Sequence, residues 1–457
     1  MTFAWDDIQV VFADANAFTG IRQRHQHFAS GLARVGMGVL YIEEPGNWLT
    51  VGRSPEKPAS NWTAWKQGAR EVEPRLWVWT PPPGMPIGYW SLWINTRNHA
   101  LYAQRLRQVL GEPPRNRLAF LACNPLAAAW LPHFDVVRAV YDCCDEFEHF
   151  PLQSKRPEVT LALEQTLFAQ CDYAVFSSAT TMRHKIAPRT RPTKDGPRQR
   201  SPQGIPRRVV HLRNACDPQL FAIADPSQAP MPADLAPIAA KGPIILYFGS
   251  LAHWLNDDLI GDLAEARPDW QVVLIGPQMR AFKRLKSIPN CHLLGKKPHH
   301  LLPHYAYHAK VAMLPHRLDR ITSVADHVKV YEFLAAGLPI MATPMLEVQN
   351  FGDLVRIGGT VKEWVSGIES LLIESTEAPE QRGLRQKFAG SQTWEIRVQG
   401  LRQVLGRPDK RQIDESRASQ WAEEERLLAQ LREAAQIELT EGLDLSETSY
   451  SPEASET

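Results

Sequence analysis

Two groups of residues in this 457-residue chain have the types and spacing to do chemistry. The first lies in the run Asp326-His327-Val328-Lys329-Val330-Tyr331-Glu332-Phe333-Leu334-Ala335-Ala336-Gly337. Apolar residues at 328, 330, 331, 333 and 334 predict a helix with one buried side, and Gly337 predicts its end. Lys329 and Glu332 stand three apart and so share a face near the helix start. A cation beside a helix N-terminus suits a diphosphate, because amide dipoles and ammonium act together. A carboxylate such as Glu332 can accept both hydroxyls of a ribose. On periodicity alone, a surface ion pair worth less than about 1 kcal/mol is the more economical reading. Upstream, Gly249 ends the apolar stretch 244–248. A glycine there lets a phosphate approach backbone N–H groups, although packing also places glycine at such turns.

The second group is Asp142 and Asp145, which follow the apolar stretch 136–141. A carboxylate there can orient an acceptor hydroxyl or take its proton; helix capping and solvated charge are the alternatives. Arg22, Arg24, His25 and His27 follow the first apolar stretch and its loop. They suit an anionic acceptor or, equally, the polar face of a helix. His300, His304 and His308 are spaced like metal ligands on one helix face, but Pro303 interrupts them and no carboxylate completes a set, so no metal is expected.

The elements that must position these groups are short apolar strands alternating with amphipathic helices. Residues 8–12, 39–42, 117–122, 136–141, 173–177 and 208–212 read as strands of a first unit, with a helix over 21–35. Residues 244–248, 271–275, 291–294, 309–314 and 338–342 read as strands of a second. This alternation predicts an α/β chain with two doubly wound, Rossmann-like domains, whose ligands bind beyond the carboxyl ends of the strands. The expected division is an N-terminal domain over 1–225, a Pro- and Ala-rich linker over 226–243, a C-terminal domain over 244–390, a helix over 391–407, and a charged helix with an acidic tail over 408–457. Residues 188–208 carry seven Lys/Arg against Asp195 and read as a basic loop. Seven of the fourteen tryptophans fall between Trp48 and Trp93. Trp77 and Trp79 read as core, whereas Trp90 and Trp93 suit a carbohydrate- or lipid-contacting surface as well as they suit packing.

Composition narrows the classes. A net charge of +1 gives no field that would demand nucleic acid. Six scattered cysteines form no CxxC unit, which points away from a disulfide framework or structural zinc and toward a reducing, cytoplasmic setting. The first residues do not read as a signal peptide, and no apolar run of about 18 residues occurs, so any membrane contact is expected to be peripheral, at the inner face.

Residues 244–345 resemble the GT-B glycosyltransferases of the retaining, glycogen-synthase-like superfamily, and within it the teichuronic-acid and cell-surface polysaccharide transferases. The pieces that carry the resemblance are Tyr247-Phe248-Gly249-Ser250, Trp254, Asp257-Asp258, Arg267-Pro268-Asp269-Trp270, Val273-Leu274-Ile275-Gly276-Pro277, Leu294-Gly295-Lys296-Lys297-Pro298 and Lys329-Val330-Tyr331-Glu332-Phe333-Leu334-Ala335-Ala336-Gly337-Leu338-Pro339. The N-terminal half is similar more loosely, at Gln23-Arg24, His27-Phe28, Tyr141-Asp142, Asp145, Asn214, Asp217 and Phe221. Trp394 opens a segment similar to the helix that returns to the N-terminal domain in that fold.

The resemblance implies a transfer of sugar from a nucleoside diphosphate, UDP above all, to a glycan or lipid-linked acceptor, without metal or other cofactor. Glu332 matches the second glutamate of the Glu-x7-Glu signature, which holds the ribose. Gly249 and Ser250 match the phosphate turn, Lys329 is the diphosphate cation, and Gly295, Lys296 and Lys297 would lie by the base. Asp142, Asp145 and Lys329 are the catalytic candidates, and Arg22, Arg24 and His27 the acceptor-binding ones. The sequence departs from the family at two places. Val324 stands where the first glutamate belongs, and Ser250 and Asn256-Asp257-Asp258 replace the usual Arg and Lys. His253, Arg317, Arg320 and Lys329 are the cations near enough in sequence to substitute. These departures keep a second reading open, a GT-B-fold binding or scaffold protein that has lost catalysis; a nucleotide-sugar epimerase is a third.

Overall fold

The computed structural model describes residues 4–19, 22–46, 48–49, 65–186, 191–193, 196–198, 207–223, 229–377 and 379–406. The charged segment 408–457 and most of the basic segment 188–208 lie outside the described residues.

Among the described residues the first half holds ten strands: β1 (Val10–Ala15), β2 (Val39–Glu43), β3 (Arg70–Glu73), β4 (Leu76–Trp79), β5 (Leu118–Ala122), β6 (Val136–Cys143), β7 (Tyr173–Phe176), β8 (Arg191–Thr193), β9 (Gly196–Arg198) and β10 (Val209–His211). Eight form one sheet in the order β10-β7-β6-β5-β1-β2-β4-β3, parallel except for the β3–β4 hairpin pair, while β8 and β9 pair with each other. The second half holds β11 (Ile244–Phe248), β12 (Gln271–Ile275), β13 (Cys291–Gly295), β14 (Val311–Leu314), β15 (Ile340–Ala342) and β16 (Val355–Ile357). They form an all-parallel sheet in the order β13-β12-β11-β14-β15-β16. Numbered within their own domain these strands run 3-2-1-4-5-6, the doubly wound order, with its crevice where the order reverses between β11 and β14. In the first sheet the reversal lies at β1, flanked by β2 and β5. The central strands are buried on both faces because helices cover them, which is why they read as unbroken apolar runs.

Two features differ from the sequence reading, and a third agrees with it. The first helix is Arg24–Arg34, shorter than expected, because Gln23 and Gln26 form a capping box that starts it at Arg24. Residues 229–243 are no free linker: Leu235 and Ile238 are buried in the core of the second domain. Trp77 and Trp79 pack in the first core on β4, as their pattern in the sequence suggests.

The helix Trp394–Leu405 crosses back to the first domain. Trp394, Val398, Leu401, Val404 and Leu405 join Phe28, Ala29 and Leu32 in one core. Gly31 permits the crossing, since a Cβ there would sit 2.3 Å from Val398 Cγ2. Within the described residues the chain thus passes between the domains twice. The two passages are bonded side by side, with Cys216 N–H donating to the Gln392 carbonyl at 3.1 Å and Trp394 N–H to the Cys216 carbonyl at 3.3 Å. Cross-domain polar contacts flank them. Asn214 donates from its backbone N–H to Asp326 Oδ2 at 2.6 Å, and Glu347 accepts from Ser178 Oγ at 3.0 Å and Thr180 Oγ1 at 2.9 Å.

Candidate active site

The carboxyl edges of both sheets face a cleft of about 760 Å³. Its C-terminal wall begins where β11 ends. Gly249 has φ +140°, and a Cβ there would lie 1.9 Å from Lys329 Cε. Gly276, at the end of β12 with φ +154°, would drive a Cβ to 1.8 Å from the Gly249 carbonyl oxygen. The two glycines therefore let the strand ends close up and let the Lys329 side chain lie across the turn. Lys329 stands in the first turn of the helix Val328–Ala335, which ends in a Schellman arrangement: Leu338 N–H bonds the Phe333 carbonyl at 3.0 Å and Gly337 (φ +77°) the Leu334 carbonyl at 2.9 Å. Burial lowers the Lys329 pKa, against the more distant pull of Glu332. A desolvated ammonium beside a helix start and an open glycine turn favours an anion.

Glu332 lies one turn further along. It does not pair with Lys329; its Oε1 accepts from His299 Nε2 at 2.8 Å. That hydrogen bond raises the His299 pKa despite partial burial. His299 is also held edge-on by Phe221, with ring centroids 5.7 Å apart. Ser250, Lys296, Lys297 and His327 complete this wall, Lys297 tied to Asp234 at 2.6 Å. Gly295 closes β13 with φ +71°, its carbonyl accepting from Gly276 N–H at 2.9 Å, and so aims the following lysines at the cleft. His253 is exposed, its ring against Trp254 at 5.0 Å; Trp254, one residue on, is the cleft residue.

The N-terminal wall separates the two aspartates. Asp145 lines the cleft, and burial pushes its pKa up to about 7, with only a weak Cys144 thiol contact at 3.6 Å. Asp142 does not face the cleft. It is 0% exposed and accepts from Arg24 Nε at 2.8 Å and Nη2 at 3.0 Å, with His25 Nε2 3.2 Å away. Burial alone would raise its pKa, but the Arg24 charge and bonds hold it down at about 2. Arg24 is thereby fixed, and its Nη1 reaches Asn214 Oδ1 at 3.1 Å beside the domain crossing. Arg22 is exposed at the rim. His27 is not in this cleft. It stacks on Trp394 at 4.4 Å and 7°, beside a separate cavity of about 370 Å³, and burial lowers its pKa to about 3.

The structure adds residues that sequence reasoning passed over. Asp14 lines the cleft at the end of β1 in a left-handed conformation, φ +55°. Its carboxylate accepts from Trp130 Nε1 at 3.1 Å and lies 2.8 Å from His99 Nε2. Strain of this kind concentrates at functional sites. Asn124 ties the same turn, donating to the Asp14 carbonyl at 2.8 Å. His299 is the other addition; of the nearby His300, His304 and His308, whose spacing alone does not make a metal site, His308 donates to the Ala229 carbonyl at 2.9 Å. Among the described residues one group, Glu146, Glu148 and His149, has metal-ligand spacing, but Glu146 already bonds His184 at 2.7 Å and Glu148 bonds Lys185 at 2.6 Å.

Two doubly wound domains facing one cleft, with a last helix that returns to the first, define the GT-B fold, and the chain has it. Solved structures superpose over both domains. A structure described as trehalose-6-phosphate from E. coli bound with UDP-2-fluoro glucose gives a TM-score of 0.59 at 13% identity, covering 87% of this chain and 98% of that one. Anabaena Alr3699/HepE in complex with UDP and glucose gives 0.60 at 13% identity, over 87% and 99%. In sequence, the chain is 27% identical over 142 residues to TuaH of Bacillus subtilis (strain 168), named as a candidate teichuronic acid biosynthesis glycosyltransferase. That match takes in 30% of this chain and 35% of TuaH, so it spans about a third of that relative's length. No protein-family model matches the chain.

Proposed function

We propose that this protein is a glycosyltransferase that moves a sugar from a nucleoside diphosphate, UDP in the first place, to a glycan or lipid-linked acceptor in cell-surface polysaccharide synthesis, with retention of configuration. The observation that carries the reading is the Lys329 ammonium lying across the Gly249 turn at a helix start. There it would hold the diphosphate and stabilise the charge that develops as the sugar departs. Glu332, braced by His299, would take the ribose, and Lys296 would lie near the base. Asp145 faces them from the other domain. With its pKa near neutrality it suits the acceptor hydroxyl's proton. The chemistry so assigned uses side chains alone and calls for no metal or cofactor. Two proteins of this fold, one solved with UDP-2-fluoro glucose and one with UDP and glucose, support the donor class.

The test is calorimetric titration with UDP, GDP and ADP, repeated on Glu332→Ala. Binding of one nucleotide in the micromolar range, about −8 kcal/mol, and its weakening by about tenfold or more in the variant is the expected result. Failure of all three to bind would sink the reading. One observation favours a second reading, a nucleotide-binding protein without transferase activity. Val324, where the first signature glutamate belongs, is apolar and 2% exposed. Nucleotide binding without turnover of the matching nucleotide-sugar would select it.

A further inference from the structure

The helix Leu92–Leu110 has an unusual outer face. Inward it buries Asn95, Asn98, His99, Tyr102, Ala103 and Leu106. Outward, at four-residue steps and so along one stripe, stand Trp93, Arg97, Leu101 and Arg105. Trp93 is 62% exposed and Leu101 41%. The Arg97 guanidinium sits 5.5 Å from the Trp93 ring. No Asp or Glu occurs anywhere in this helix. The apolar surface continues past its start through Leu92 and Ile87, both more than two-fifths exposed. It then passes to Leu152, whose carbonyl accepts from Trp90 Nε1 at 2.8 Å, with Lys155 5.4 Å above the Trp90 ring.

Several large apolar side chains left exposed on one helix and the segments beside it mark an interaction site. Its composition points to one kind of partner. Tryptophan with leucine and isoleucine suits the headgroup level of a bilayer, and cations on an acid-free helix complement anionic lipid. The same rim borders the cleft: Tyr89, beside Trp90, and Gln153, beside Leu152, line its N-terminal wall. We propose that this face rests on an anionic lipid bilayer and that the acceptor enters the cleft from that surface as a lipid-linked molecule. The second half rests on the transferase reading; the docking itself does not.

The experiment is sedimentation of the full chain with phosphatidylcholine vesicles, with and without phosphatidylglycerol, alongside UDP titration of the same preparation. The chain is expected to bind the phosphatidylglycerol vesicles in a salt-sensitive way and not the neutral ones. Trp93→Glu and the double variant Arg97→Glu/Arg105→Glu should each weaken binding about tenfold or more. Ile373→Glu, at an exposed apolar residue of the other domain, should leave it unchanged. UDP affinity should be equal in all of them. No binding to phosphatidylglycerol vesicles, wild-type binding by Trp93→Glu, or a self-associated form that Trp93→Glu dissolves would overturn the docking. Vesicle binding in a chain that binds no nucleotide would keep the docking and remove the lipid-linked acceptor.

Discussion

His299 and Glu332 come from different elements, a turn after β13 and the helix Val328–Ala335, and meet at 2.8 Å on the wall of the cleft. One carboxylate oxygen is thereby committed, on a residue that lines the cleft. Glu332→Ala should weaken UDP binding by about 1.5–3 kcal/mol, the scale of a hydrogen bond to a charged group. His299→Ala should weaken it less, since it frees the carboxylate without removing it, and His299→Gln should recover part of the loss. Because the bond raises the His299 pKa above the ordinary 6.5, its stabilising share is fully present below 6.5 and fades as pH rises through the folded value. An NMR titration of the ring in wild type and Glu332→Gln measures this; equal midpoints would refute the pairing.

Gly249→Ala should abolish nucleotide binding while the chain still folds. The new methyl would meet Lys329 Cε at 1.9 Å, and φ +140° is strained for any side chain. The strain costs about 1–3 kcal/mol, visible as a lower melting temperature. Lys329→Met keeps the packing and removes the charge, so it should lose affinity for UDP without that drop.

The two aspartates should behave oppositely. Asp142→Ala leaves the buried Arg24 charge unpaired and should cost about 3–5 kcal/mol. With the Asp142 carboxyl held near 2, its contribution is present above the ordinary 3.8 and lost as pH falls from there toward 2. Asp145 has the reverse sign: with a folded value near 7, its ionisation opposes folding as pH rises above 3.8. Asp145→Asn should therefore stabilise the fold at pH 8 and reduce turnover. The wild-type rate should rise along a limb centred near 7 that the variant lacks. Denaturation and pH–rate profiles check both.

Trp394→Ala should destabilise the first domain, although the residue stands far along the chain. The side chain is 5% exposed and packs on both His27 and Phe28. A cost of about 3–5 kcal/mol is expected, read by chemical denaturation.

The donor side of this cleft is legible in the sequence because its parts are local. A helical period, a glycine stop and a glycine at a strand end place Lys329, Glu332 and Gly249 without knowledge of the fold. The acceptor side depends on partners from elsewhere. Asp142 and Asp145 look alike in sequence, but β6 extends through Cys143 and its last residues are buried on both faces, so alternation carries no information there. His27 reads as a polar helix residue until Trp394 arrives from beyond the second domain. His253 misses the cleft by one position, the step that separates opposite sides of a loop. Asp14 has no local signal at all, because aspartate tolerates a left-handed backbone wherever surroundings impose it.

The paired passages at Cys216 and Thr393 set how the halves can move. A door hung on a single pin can swing, twist and shift along its frame. Two parallel strips stitched together leave only the swing. The opposing walls should open and shut about that seam, with sliding of Asp145 past Lys329 along the cleft resisted by the paired strips. Every closure should bring the same two residues back to the same alignment, and a cut through one strip alone would leave the halves joined but free to skew.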